Sequence, residues 1–134
     1  MINTAKEQAK GFLKACGFEV LSHSDSPTAP KYKNKPIAFV AFEKLSTLKK
    51  GYAISSSGTK YIFEVTLNCL LLGREGECSD RSEILSLAQQ AVMRFNRNDY
   101  DAVIDDSFEI DGRLSRAKTV IKVSRIFLQD QGVQ

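Results

Sequence analysis

The sequence predicts an α+β fold: a mostly antiparallel sheet covered by two amphipathic helices, with a long strand or hairpin projecting from it. Three observations carry this reading. Residues 60–72 place Tyr61, Phe63, Val65, Leu67, Cys69 and Leu71 at alternate positions, the period-two pattern of a strand with one buried face. Residues 4–15 and the stretch after Asp80 repeat their apolar side chains at helical spacing instead. The chain of 134 residues is 43% hydrophobic and 26% charged, which suits one domain with a real core and does not suit a disordered chain. Residues 1–134 are read as that single domain, without internal repeat or linker.

In chain order, the first helix puts Ala5, Ala9, Phe12, Leu13 and Cys16 on one face and Lys6, Lys10 and Lys14 on another. Gly17 stops it. A short apolar piece, residues 18–21, leads into a polar loop, residues 22–35, that contains Pro27 and Pro30. Residues 37–42 read as a strand, and residues 49–58, with three consecutive serines, as a mobile connection. The alternating strand 60–72 would span about 43 Å at ~3.3 Å per residue, more than a small domain readily covers. Part of it is therefore expected to project as a hairpin arm or to pair with a partner. Asp80 and Glu83 have the spacing of a capping pair, and Ile84, Leu85, Ala88, Ala91, Val92 and Phe95 form the stripe of the second helix. Residues 107–114 and 119–128 read as closing strands. The expected core is Phe12, Phe63, Val65, Leu67, Ile84, Ala88, Phe95, Ile121 and Val123.

Composition narrows function mostly by exclusion. No segment reaches the ~20 apolar residues that span a bilayer, and residues 1–15 lack the continuous apolar run of a signal peptide. A product made in the cytoplasm, without membrane contact, is expected. Cys16, Cys69 and Cys78 have no C-x-x-C spacing and read as free thiols. His23 lies in a Ser/Asp/Pro loop, where neighbours in sequence do not make a catalytic triad, and reads as solvated. The glycines of residues 51–60 are too far apart for a phosphate loop, and the segment leads into a strand instead of a helix. Asp99, Asp101, Asp105, Asp106, Glu109 and Asp111 form an acidic run without the ligand positions of a calcium loop; it reads as a solvated turn. No catalytic residue, metal-ligand set or cofactor is predicted, and the chain is not expected to be an enzyme. Lys44, Lys49, Lys50 and Lys60 flank the expected connection and are read as a loop facing a partner or, nonspecifically, a phosphate backbone. Charge is also split along the chain. Residues 1–60 carry ten lysines against four acids, net +6, and residues 61–134 nine basic residues against twelve acids, net −3. Such a split suits two surfaces that meet different neighbours or copies of the same chain, and equally suits simple solvation.

The order of these elements resembles that of phage tail terminator (tail completion) proteins. The matching pieces are the helix around Ala9–Leu13, the strand Pro36-Ile-Ala-Phe-Val-Ala-Phe42, the long strand from Tyr61 to Leu72, the helix from Asp80 to Phe95 and the strand from Lys118 to Leu128. The resemblance covers nearly the whole chain and rests on pattern and size. It implies a hexameric ring that caps the tail tube in a virion or tail-like particle and presents a surface to the head connector, with no enzyme activity and no cofactor. Two other classes stay open. One is an α+β adaptor that dimerises through a sheet edge, and the other is a metal-dependent enzyme built on the acidic run from Asp99 to Asp111.

Overall fold

The computed structural model describes residues 1–53, 58–76, 81–105 and 116–132, giving only the backbone path at 49–53, 58–60 and 129–132. Helix α1 (Ile2–Ala15) is followed by β1 (Glu19–Val20), a 3-10 turn (Pro30–Tyr32), β2 (Ile37–Ala53), β3 (Gly58–Leu72), α2 (Ser82–Arg97), β4 (Asp101–Asp105) and β5 (Lys118–Gly132). The five strands form one sheet in the order β1-β2-β3-β5-β4. Among the described residues, only β1 runs parallel to its neighbour; every other pair is antiparallel. The α+β class with a mostly antiparallel sheet is the one the sequence predicts.

Both helices close by the same device. After α1, the Gly17 N–H donates to the Lys14 carbonyl at 3.0 Å and the Phe18 N–H to the Leu13 carbonyl at 3.1 Å. The turn needs a positive φ, which Gly17 supplies at 98°. At the end of α2, Tyr100 donates its N–H back to Phe95 at 3.1 Å, and here Asp99 takes the positive φ, at 67°. Each turn thereby drives a buried aromatic, Phe18 or Tyr100, into the core. At the start of α2 the N-cap is Arg81. Glu83 accepts from Arg74 Nε at 2.9 Å, and its expected capping partner Asp80 lies outside the described residues.

One face of the sheet carries the core. Ala38 and Val40 of β2, Val65, Leu67, Cys69 and Leu71 of β3, Ile121 and Val123 of β5, and Ala102 of β4 pack with Ala5, Ala9 and Leu13 of α1 and Ile84, Ala88, Ala91 and Phe95 of α2. Phe12, Phe95 and Tyr100 meet edge to face, with centroids 5.2–5.8 Å apart, and seal the joint between the helices and β4. The alternate strand residues point to the opposite face. It carries a small second cluster at one end only, where Leu21 and Tyr32 cover Ile37 and Leu72.

The long strand lies in a hairpin, as the sequence predicts, and β3 is the middle of the sheet, paired with β5 at every residue and with β2 between Leu72 and Thr59 across three register shifts. Three expectations need correction. The segment read as a mobile connection from residue 49 is strand as far as Ala53, and only residues 54–57 lie outside the described region. β2 accommodates its polar, glycine-containing end through three register shifts, which hide it from any test for strict alternation. Asp101–Asp105, expected in a turn, is β4, while the strand expected at 107–114 lies outside the described residues. Finally, Phe12 and Phe63 are half-buried instead of fully buried. Phe63 sits where the helices no longer cover β3, stacked on Tyr61 at 6.0 Å.

Candidate interaction surface

Among the described residues, nothing on β3 beyond Val65 toward Gly58 is buried, nor on β2 beyond Val40, nor on β5 beyond Val123. The three longest strands thus run on past the helices as a three-stranded arm. Its outer strands expose Leu45 and Leu48 on β2 and Ile126 and Leu128 on β5, the last 61% accessible. Isolated exposed leucines are ordinary, and four such apolar side chains on one slender element make the arm a candidate interaction surface. Where the arm leaves the body, the Arg125 guanidinium lies over the rings of Tyr100 and Phe127, 5.3 and 5.0 Å from their centres. Gln8 Oε1 accepts from both Tyr100 Oη at 2.6 Å and Arg125 at 2.7 Å, tying α1 to β5. Burial raises the Tyr100 phenol above its ordinary range, with Arg125 opposing.

The helix-free face holds a concavity of about 570 Å³. Its floor is Phe39, Ala41, Leu70 and Val120, and its rim is His23, Asn68, Asp105, Lys118 and Lys122. Asn68 donates to Glu43 at 3.1 Å and Lys122 lies 3.7 Å from the same carboxylate, so Glu43 has partners within the chain. The loop that carries His23 is anchored from below by Arg116, which is 1% exposed. Its guanidinium donates to the carbonyls of Tyr32, Lys35 and Gly73 at 2.7–2.9 Å. Burial lowers its pKa, and Glu75 opposes the shift. Nothing in the spacing of the sequence distinguishes Arg116 from the surface arginines, and sequence reading missed it.

The lysines expected to flank a loop lie on strands. Lys44, Lys49 and Lys50 belong to β2 and Lys60 to β3, opposite Tyr52. From Lys44 to that row the hairpin runs about 26 Å at ~3.3 Å per residue, so Lys44 stands apart from Lys60. Lys44 is exposed, on the helix-free face. The acidic run is likewise spread out. Asp101 and Asp105 share a face of β4 four residues apart, about 13 Å, which is too far to share an ion. Asp106, Glu109 and Asp111 lie outside the described residues. No group of three metal-ligating side chains occurs among the described residues.

His23 is exposed on the rim of the concavity. The nearby hydrogen bonds skip it: Asp25 accepts from the backbone and hydroxyl of Ser22, at 2.9 and 3.1 Å, and those bonds hold its carboxyl below the usual range. Cys69 is buried in the core, where desolvation pushes its thiol up to about 12, leaving it protonated and inert. Cys16 is a partly exposed free thiol, and Cys78 lies outside the described residues. No helix is long and apolar enough to cross a membrane among the described residues. The chain matches no model of a known protein family and no curated protein.

Proposed function

We propose that this protein is a structural component of a phage-type tail, forming a ring that caps the tail tube and offers a surface to the head connector. The observation that supports it most is the arm. Three strands extend past their helical cover and expose Leu45, Leu48, Ile126 and Leu128, an apolar display that association with other chains would bury. Among the described residues, β2 beyond Ala38 and the outer side of β4 pair with no further strand, which leaves them able to meet neighbours. The count of six and the tail location come from the resemblance in element order alone. In this reading the lysines of β2 serve contacts between proteins, with any DNA contact being nonspecific, and the chain needs no cofactor. The test is to delete the gene from its prophage and image the particles. Overlong or headless tails are expected; tails of normal length joined to heads would overturn the proposal.

A further inference from the structure

The charge split along the sequence becomes a split across the sheet. In the strand order β1-β2-β3-β5-β4, β1 flanks β2 only at Ile37 and Ala38, so among the described residues the lysine-rich first half supplies one edge, the rest of β2, and the acidic second half supplies the other, β4. The two edges are also in register. Lys44 pairs with Thr66, Thr66 with Ser124, and Ser124 with Asp101, so one row crosses four strands from a lysine to an aspartate. All four side chains line the same shallow depression on the helix-free face. Three strand spacings of ~4.8 Å separate Lys44 from Asp101 by about 14 Å, too far to pair within one chain. Both are exposed, and among the described residues neither has an ion-pair partner.

We propose that copies of this chain associate edge to edge, the outer side of β2 against the outer side of β4 in the next copy. This places Lys44 opposite Asp101 of its neighbour. The inference rests on the ring reading above and names its interface. Strand direction permits it: β2 runs antiparallel to β3, β3 to β5 and β5 to β4, so β4 and an equally oriented neighbouring β2 are antiparallel. The rows beside the ion pair are complementary too. Ala41 shares its row with Val103, and Phe42 shares its row with Ala102. Phe42 is 41% and Val103 57% exposed in the isolated chain, and this contact would cover both. Lysines and bulges on an edge strand normally keep a sheet from pairing at all. Opposite an acidic edge the same lysines attract, so the device rejects other β2 edges and admits β4. The contact uses different surfaces on the two copies and therefore propagates until it closes.

The test is a charge exchange. Lys44→Glu and Asp101→Lys alone are each expected to weaken self-association about tenfold by light scattering at low salt, by setting like charges face to face. The double variant is expected to return to within about threefold of the parent. Both sites are exposed, so circular dichroism and thermal melting should stay unchanged. Oxidation of a Lys44→Cys/Asp101→Cys variant at high protein concentration traps even weak association, and should yield a ladder of covalent multimers that neither single-cysteine variant yields. Parent-like association by both single charge variants, or absence of the ladder while the parent forms rings, overturns the edge contact and leaves the ring. A parent that forms no multimer, with no ladder, overturns both.

Discussion

Arg116 is the residue on which the helix-free face depends most. Its guanidinium satisfies three carbonyls from two separate segments, Tyr32 and Lys35 on one side and Gly73 on the other. A water molecule or a shorter side chain cannot reproduce that planar fork of donors. Arg116→Ala is expected to destabilise by about 3–5 kcal/mol in urea unfolding, because three buried acceptors lose their donor at once. Arg116→Lys is expected to recover less than half of that, since an ammonium is a point donor. A loss under 1 kcal/mol for the alanine variant would show that the loop holds by its apolar contacts, Tyr32 and Leu21 on Ile37 and Leu72. The sequence does not reveal this role. An arginine flanked by Ser115 and Ala117 looks like any surface arginine until the chain returns it beneath a loop some eighty positions earlier.

At the scale of elements, Phe95 and Phe63 separate what is core from what is arm. Both sit on the apolar stripe of their own element, and the sequence pattern rates them equally. Phe95 is fully buried in the triangle with Phe12 and Tyr100. Phe63 is half-exposed past the end of the helices. Phe95→Ala is therefore expected to cost about 3–5 kcal/mol, and Phe63→Ala about 1–2 kcal/mol, by chemical denaturation. Equal losses would mean that the arm packs as tightly as the body. Helices α1 and α2 were legible because each needs only its own periodicity, and β3 because its inner half is buried on one face. The far half of β2 was not legible. Neither of its faces is buried among the described residues, so no selection for alternating side chains acts there, and three bulges break the register. β4 failed for a related reason: its acids mark the solvent-facing side of a short edge strand, and their density imitates a turn. The lysines expected to flank a loop lie on strands instead, Lys44, Lys49 and Lys50 on β2 and Lys60 on β3.

At the scale of the molecule, chain order and sheet order disagree in one place, and this governs how the fold is completed. β5 is last in sequence yet lies between β3 and β4. Without it β4 has no neighbour in the sheet among the described residues, and β3 loses the partner with which it pairs at all fifteen of its residues. Ile121 and Val123 would also leave the core beneath α2. The remainder would be a two-stranded hairpin with a two-residue strand beside it, and such a hairpin is at best marginally stable in water. A chain ending at Ala117 is therefore expected to show no cooperative thermal transition. A chain ending at Gln129 removes only part of the arm, keeps every β5 residue that contacts the body, and should melt within a few degrees of the full-length protein by differential scanning calorimetry. The same comparison bears on assembly. The body retains β2 and β4 in the shorter of these folded forms, so edge association should survive the loss of the arm end while contacts made by the arm weaken. A cooperative transition in the chain ending at Ala117 would show that the helices and the β2–β3 hairpin are a folding unit without the rest of the sheet.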